Sequence, residues 1–283
     1  MQITDISWCT YSWNPVTGCT RCGPECENCY AERFMRRQAK RDDAPAYMSG
    51  KAWTRENENE VVTCHPDRLD EPLEYSYPDG PGRIFVVSFG DLFHRCVSDS
   101  FIQSVVDTAR ECPAQEFVFL TKRPDRAAQM EIDWPTNAIV GTSVGSGPGG
   151  EEPDTTHRID QLRGVDARLW ISFEPLIEPV GDVDLSGIDW VVIGGESAPA
   201  DERREMEHVW AKAVYDQARA ADIPVYYKQD SGAKPGENPY LTVQDPETGV
   251  FKQLEIQEHP DIPEVTQRAR QEKENVGEHG GRR

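Results

Sequence analysis

Six short β-rich segments separated by helix-like stretches constrain the fold of this 283-residue chain more than any other feature. The segments span residues 84–89, 117–121, 138–144, 169–173, 190–194 and 225–228, and stretches with helical character include 98–111, 154–163 and 206–221. Strands that alternate with helices predict βα units and a parallel sheet. With one more strand near residues 6–13, the pattern favours an α/β fold of the complete or partial (β/α) TIM-like barrel type. A flat doubly wound sheet is the alternative.

We expect one barrel-like domain over residues 1–256. Residues 42–82 are polar and rich in Pro and Gly, which indicates an insertion with short elements. Residues 257–283 are strongly polar and predict a mobile tail. The sequence shows neither a signal peptide nor an apolar run of membrane-spanning length. We therefore expect a cytoplasmic protein with reduced thiols, in the host cytoplasm if a virus encodes it, and no membrane partner.

The charge balance is strongly acidic. The formal net charge is −20, and the 30 basic residues comprise 8 Lys and 22 Arg. Excess carboxylate and scarce lysine are typical of proteins from a salt-rich cytoplasm, so we expect a halophilic source, with an ordinary acidic protein as the alternative. Local basic sites can persist on such a surface. A helix predicted over residues 29–41 carries one basic stripe, which consists of Arg33, Arg36, Arg37, Lys40 and Arg41. We interpret this stripe as a phosphate or nucleic-acid contact, with a solvated helix face as the alternative.

Four of the eight cysteines lie within eleven residues, in the segment WNPVTGCTRCGPECENCYAE. Cys19, Cys22, Cys26 and Cys29 have the spacing C-x2-C-x3-C-x2-C. Zinc ribbons and fingers separate their cysteine pairs by a dozen residues or more, whereas iron–sulfur loops place thiolates this closely. The spacing favours an iron–sulfur cluster, with zinc or redox-active thiols as alternatives. A four-iron cube held by only three thiolates leaves one iron open for a ligand.

Each predicted strand ends in polar residues. In parallel α/β folds the carboxyl ends of the strands gather ligand-binding groups, so we expect these residues to share one pocket. Glu174 and Glu196 are favoured because each directly follows an apolar strand. As alternatives, Asp91 caps the next turn and His94 is a packed histidine. The catalytic candidates are Asp91, His94, Lys122 and Glu174, and the cofactor-binding candidates are Ser143, Glu174, Gly194, Gly195, Glu196, Ser197 and Lys228.

Over about residues 6–229 the sequence resembles the phage- and prophage-associated three-Cys-motif proteins, a family of largely unassigned function. The resemblance rests on WNPVTGC, CENCYAE, GDLFH, LTKRP, FEPL, IDWVVIGGES and YYKQ, which occur in the family's order. The family's three cysteines correspond to Cys19, Cys26 and Cys29. Cys22 stands where the family does not usually have a cysteine, and residues 230–232 (Asp-Ser-Gly) replace its Trp-Gly-like ending.

That family in turn looks like radical S-adenosylmethionine enzymes, although their usual spacing, CxxxCxxC, has a shorter first gap. The resemblance implies a partial barrel, a 4Fe–4S cluster on the three family cysteines, and S-adenosylmethionine on the open iron. It implies that Glu174 or Glu196 receives the cofactor's ammonium or ribose, and that Lys122, Arg123 or Lys228 anchors a nucleotide or nucleic-acid substrate. A dedicated protein partner encoded nearby is also implied. The rival interpretation is a zinc- or cluster-stabilised nucleic-acid-binding accessory protein without catalysis.

Overall fold

The structure is a computed structural model that describes residues 1–245, 247–264 and 266–271. Its helices are α1 (Tyr30–Gln38), α2 (Glu58–Val61), α3 (Glu71–Glu74), α4 (Asp99–Glu111), α5 (Pro124–Gln129), α6 (His157–Leu162) and α7 (His208–Ala220). Its strands are β1 (Gln2–Ile3), β2 (Tyr11–Trp13), β3 (Val16–Thr17), β4 (Thr63–Cys64), β5 (Arg83–Val86), β6 (Glu116–Thr121), β7 (Ala138–Ser143), β8 (Arg168–Phe173), β9 (Trp190–Gly194), β10 (Val225–Gln229), β11 (Leu241–Gln244) and β12 (Phe251–Leu254). Among the described residues, no helix combines the length and the apolar character needed to cross a membrane.

An eight-stranded sheet with the order β1-β2-β5-β6-β7-β8-β9-β10 forms the centre of the molecule. Within this sheet, β2, β5, β6, β7, β8, β9 and β10 run parallel, and β1 pairs with β2 in the antiparallel direction. Strand order follows chain order throughout, whereas a doubly wound sheet reverses its order at a switch point. The sheet is therefore an open, curled half-barrel. This confirms the predicted partial (β/α) barrel, and the doubly wound alternative is wrong.

The two faces of the sheet bury different side chains because successive residues of a strand point to opposite faces. Ile84 and Val86 of β5 belong to the large core on the helix side, which includes Ile102 and Val105 of α4. Phe85 belongs to the core on the concave side, together with Trp8, Val118, Trp170, Trp190 and others. The indole rings of Trp8 and Trp170 lie 5.4 Å apart, and those of Trp170 and Trp190 lie 5.1 Å apart. Aromatic side chains thus fill the floor of the half-barrel.

The polar insertion and the segment after residue 256 both contact the sheet. Within residues 42–82, β4 pairs with β3, and the Trp13 indole donates to the Arg68 carbonyl at 2.7 Å. Beyond residue 256, where we predicted a mobile tail, the Glu258 carbonyl accepts a hydrogen bond from the Trp190 indole at 3.0 Å. Arg270 donates to the Ala114 carbonyl at 2.9 Å. The rest of that predicted tail, residues 272–283, lies outside the described residues, and the domain division stays a prediction.

Candidate functional site

The cysteine loop leaves the sheet after β3 and is held beside the end of β5 by close backbone contacts. Gly18 donates its backbone N–H to the Phe89 carbonyl at 2.7 Å and forms an isolated parallel bridge with Gly90. Gly18 has φ +82°, and a Cβ there would lie 1.7 Å from the Val61 carbonyl oxygen. Both the backbone conformation and the lack of space exclude a side chain at this position. The loop therefore begins at a fixed point near the mouth of the half-barrel.

All four thiols of the loop line the same cavity. Cys26 ends a short 3₁₀ turn (Pro24–Cys26) and is buried, and Cys29 caps the amino end of α1. Cys19 and Cys29 are partly buried, whereas Cys22 is exposed. Within the described ranges, no group of three His, Cys, Asp or Glu side chains is close enough to hold a single metal ion.

The four thiols do not ionise equally. A hydrogen bond from the Cys22 thiol lowers the pKa of Cys26, and the nearby Lys122 ammonium acts in the same direction. Burial raises the pKa of Cys19 to about 12 and also raises the pKa of Cys29. The Cys22–Cys26 pair thus loses a proton more readily than Cys19 or Cys29. Binding of a metal centre would remove the protons from the other ligand thiols.

Asp91 is buried and organises the turn that follows β6. Its carboxylate accepts hydrogen bonds from the Thr121 hydroxyl at 2.7 Å and from the Lys122 backbone N–H at 3.2 Å. It also accepts one from the Arg123 guanidinium at 2.7 Å. Burial would raise the pKa of Asp91, but the Arg123 charge and these hydrogen bonds keep it below its ordinary value. Asp91, a catalytic candidate in the sequence, uses both oxygens to position its neighbours.

Arg123 and His94 together fix the start of the cysteine loop. Arg123 Nη1 lies 3.3 Å from Cys19 Sγ, and Nη2 donates to the Thr20 carbonyl at 2.7 Å. His94 Nδ1 accepts from the Cys96 backbone N–H at 3.2 Å, which leaves Nε2 to donate to the Thr20 hydroxyl at 2.9 Å. Burial lowers the pKa of His94 to about 4, so its ring is neutral. His94, another catalytic candidate, lies behind the loop and does not line the cavity.

Lys122 reaches the cavity from the end of β6. Its Nζ donates to the Ser143 hydroxyl at 3.0 Å. Burial would lower the pKa of Lys122, but the Cys26 and Glu25 side chains raise it above its ordinary value. A charged ammonium therefore lies close to the thiols.

A buried ion pair between Glu25 and Arg158 joins the middle of the cysteine loop to α6. Arg158 Nη1 lies 2.8 Å from Glu25 Oε1, and the two side chains are 4% and 0% exposed. The same guanidinium donates to the carbonyls of Ser143 at 2.9 Å and Cys22 at 3.3 Å. The other oxygen, Glu25 Oε2, is buried and has no hydrogen-bond partner in the part of the chain that the structure describes. Neither residue was a candidate from the sequence.

Glu196, which follows β9, holds the loop through Arg204, a residue that the sequence did not single out. Glu196 is buried, and Oε2 accepts from Asn28 Nδ2 and from the Arg204 backbone N–H, both at 2.9 Å. The Arg204 guanidinium pairs with Oε1 and donates to the Pro24 carbonyl at 3.0 Å. Burial would raise the pKa of Glu196, but the bonds from Arg204 and Asn28 keep it low. This carboxylate is thus occupied in holding the loop.

Glu174 and Lys228 form an ion pair at the ends of β8 and β10, and both side chains are partly exposed in the cavity. Gly194 does not line the cavity, and a Cβ on it would lie 3.4 Å from the Glu174 carboxyl carbon. Gly195 does line it, but a Cβ there would lie 2.3 Å from the backbone nitrogen of Ser231. The close approach that Gly195 permits is therefore to the chain after β10.

A cavity of about 200 Å³ joins the cysteine loop to the carboxyl ends of the strands. Its apolar wall includes Ile6, Phe85 and Leu120, and the aromatic residues Tyr30 and Trp53 also line it. Two residues predicted for the site, His94 and Gly194, lie outside. Those that the structure brings together are Cys19, Cys22, Cys26, Cys29, Asp91, Lys122, Ser143, Glu174, Gly195, Glu196, Ser197 and Lys228.

The basic stripe on and after α1 is largely neutralised. Arg37 lies over the Phe34 ring, 5.7 Å from its centroid. Three of the other cations lie within ion-pair distance of carboxylates: Arg33 of Glu202, Arg36 of Glu32, and Arg41 of Asp43. The stripe therefore offers less positive charge than its sequence suggests.

Comparison with known proteins identifies a family. The family described as "Protein of unknown function (DUF5131)" matches residues 3–279, and no curated protein matches the chain. Similar solved structures include spore photoproduct lyase complexed with dinucleoside spore photoproduct (11% identity, TM-score 0.44) and a double mutant of that enzyme with bound AdoMet and dinucleoside spore photoproduct (10%, 0.43). Each match covers 94% of this chain and 74% of the other. A likeness this low carries no argument about activity.

Proposed function

Because the chain belongs to the DUF5131 family of proteins of unknown function, we propose a function from the site itself: a radical S-adenosylmethionine-type iron–sulfur enzyme. One observation carries the proposal. The thiols of Cys19, Cys26 and Cys29 face the same cavity as the carboxyl ends of the parallel strands, where enzymes with this type of sheet place their reacting groups. The phage setting, the halophilic source, the cytoplasmic location and a separately encoded protein partner stay predictions.

The residues around the thiols fit a 4Fe–4S cluster. With a cluster bound, three thiolates would carry negative charge into a partly buried site, and Lys122 and Arg123 lie next to these cysteines as cations. Cys19, Cys26 and Cys29 would hold three irons and leave the fourth for the cofactor. When bound, the cluster and S-adenosylmethionine would supply the one-electron chemistry that removes a hydrogen atom from a substrate.

The chain's own part in this chemistry is to bind, to orient and to keep water out. Glu174 would accept a hydrogen bond from the ammonium or ribose groups of the cofactor. Its present partner is the Lys228 ammonium, which stands at the end of a long, flexible side chain and would move aside. Ser143 and Ser197 add hydroxyls on the same wall. The apolar wall restricts water near the reacting atoms. Asp91 and Glu196 act by positioning Arg123 and Arg204, not by touching the substrate.

We further propose a nucleotide or nucleic-acid substrate. Tyr30 lines the cavity and is 44% exposed, and an exposed aromatic ring of this kind stacks on bases. Lys122 and Lys228 line the same cavity and provide cations for a phosphate. An aromatic surface with adjacent cations suits a base joined to a phosphate better than it suits an apolar substrate.

The test is anaerobic reconstitution with iron and sulfide, followed by metal analysis and EPR of the reduced protein with and without S-adenosylmethionine. We expect about four irons per chain and a spectrum that changes when the cofactor is added. Cys19→Ser, Cys26→Ser and Cys29→Ser should each lose the cluster. Cys96→Ser, which changes a cysteine outside the loop, is the matched control and should keep it. A spectrum that does not respond to the cofactor would refute the proposal.

The second candidate is a zinc- or cluster-stabilised nucleic-acid-binding protein without catalysis. It is favoured by Cys22, because its thiol lines the same cavity as the other three and a fourth thiol could close the open coordination site. The Cys22→Ser variant distinguishes the two functions. Full iron content and a retained response to the cofactor support the enzyme, whereas loss of metal, or bound zinc in the wild type, supports the binding protein.

A further inference from the structure

A second cavity lies at the amino end of the half-barrel, opposite the cysteine loop. Its volume is about 260 Å³, and its wall is formed by the turn before β2, the start of β5 and residues of the segment after 256. Arg83 and Arg270 line it together with the hydroxyl residues Ser7 and Thr10. Among the described residues, neither Asp nor Glu lines this cavity. The wall is thus cationic in a chain whose net charge is −20.

Positive charge exceeds negative charge around this cavity. Glu116 is fully buried and pairs with two guanidiniums, Arg83 Nε at 2.5 Å and Arg168 Nη1 at 2.9 Å. Arg270 donates Nε to the Ala114 carbonyl at 2.9 Å. In the part of the chain that the structure describes, Arg270 has no carboxylate within ion-pair distance. Arg83 and Arg168 therefore share one carboxylate, and Arg270 adds a third guanidinium without a carboxylate partner among the described residues.

Burial is the main cost to the Arg270 charge. It lowers the pKa of Arg270, the attraction of Glu116 opposes that effect, and the repulsion of Arg83 adds a smaller contribution in the same direction as burial. The cavity is also rich in hydrogen-bond donors. The hydroxyl residues Ser7 and Thr10 line it together with the two arginines. An anion with several acceptor oxygens would compensate both the charge and the donors.

We propose that this cavity is an oxyanion site that takes a phosphate group between Arg83 and Arg270. Guanidinium forks match the geometry of phosphate oxygens and bind them in pairs. The group is either free phosphate or the phosphate of a monoester. Because Arg270 belongs to the segment after residue 256 and Arg83 belongs to β5, the bound anion joins that segment to the floor of the half-barrel. This site is independent of the function proposed for the cysteine loop.

The test is a titration of the full chain with inorganic phosphate at constant ionic strength, set by chloride. We expect saturable heat release in isothermal titration calorimetry and a rise in Tm of about 5 °C at a hundredfold excess over Kd. Arg270→Gln should abolish both effects. Arg268→Gln is the matched control, since Arg268 lies on the same helical segment, is exposed and pairs with Glu264. Arg270→Lys keeps the charge but not the fork, and should bind more weakly than wild type.

Two results would overturn the proposal. The first is an equal rise in the Tm of the wild-type protein with phosphate and with chloride, which can be measured without any variant. The other is an Arg270→Gln protein, folded by circular dichroism, that retains the phosphate response. A second titration with glycerol 3-phosphate distinguishes the sources. Tighter binding of the monoester identifies a metabolite site, and tighter binding of inorganic phosphate identifies a structural ion.

Discussion

The buried ion pair between Arg158 and Glu25 predicts a large and specific loss of stability. Both side chains are nearly inaccessible to water, at 4% and 0% exposure, and their charged atoms lie 2.8 Å apart. Arg158→Gln leaves the Glu25 carboxylate buried without its ion-pair partner. Removing one partner of a buried pair costs about 3–5 kcal/mol because the remaining charge stays uncompensated. We therefore expect the free energy of unfolding of the metal-free protein to fall by about that amount.

The assay is equilibrium urea unfolding followed by tryptophan fluorescence, arranged as a double-mutant cycle with Glu25→Gln and the double variant. Neutralising both partners removes the isolated charge, so the double variant should be more stable than Arg158→Gln alone. Arg268→Gln, in an exposed pair with Glu264, should unfold like the wild type. A loss below about 1 kcal/mol for Arg158→Gln, with an unchanged m value, would refute the reasoning from burial.

Two further predictions concern the start of the cysteine loop. Gly18→Ala should abolish reconstitution of a metal centre, because a Cβ would lie 1.7 Å from the Val61 carbonyl oxygen at φ +82°; Gly80→Ala, at a similar φ of +75° but with nothing within 4 Å, is the control that should reconstitute normally. Burial lowers the pKa of His94 in the folded protein to about 4, from its ordinary value of 6.5. Between these two pH values the unfolded chain binds a proton that the folded protein does not. The free energy of unfolding should therefore fall as the pH drops from 6.5 towards 4, by at most about 1.4 kcal/mol per pH unit. His94→Gln should flatten that part of the pH profile of the unfolding midpoint, and an equal slope in both proteins would contradict the assignment.

The strands could be predicted from the sequence because each is a short apolar run between polar turns. The segment predicted at 190–194 coincides with β9. The segment predicted at 84–89 stops at Val86, because Val87 adopts φ +65° while its backbone N–H bonds to the Trp13 carbonyl. A local apolar pattern carries no sign of that turn, since the cause is a contact with a strand more than seventy residues earlier in the chain.

The residues of the candidate site also fall into those that the sequence predicts and those that only the structure reveals. Convergence of the polar strand ends followed from the rule that parallel strands present their carboxyl ends at one edge. The residues that hold the cysteine loop could not be found like this. Arg158 contacts Glu25 across 133 residues of sequence, and Arg204 contacts Pro24 across 180. Neither arginine stands at a strand end, and only the packed structure brings them to the loop.

Three arginines each donate to a different carbonyl of the cysteine loop: Arg123 to Thr20, Arg158 to Cys22, and Arg204 to Pro24. Where a metal alone orders a loop, ordering eight residues costs about 8–16 kcal/mol. That equals the whole apparent affinity of many structural zinc sites, about 10–16 kcal/mol. Here hydrogen bonds within the fold order the segment from Cys19 to Cys26. The entropy cost of ordering it is therefore met when the chain folds, before any metal binds. If the proposed metal centre binds, its affinity would depend on the metal–sulfur bonds and the surrounding charges, and it would load and leave while the barrel stays folded.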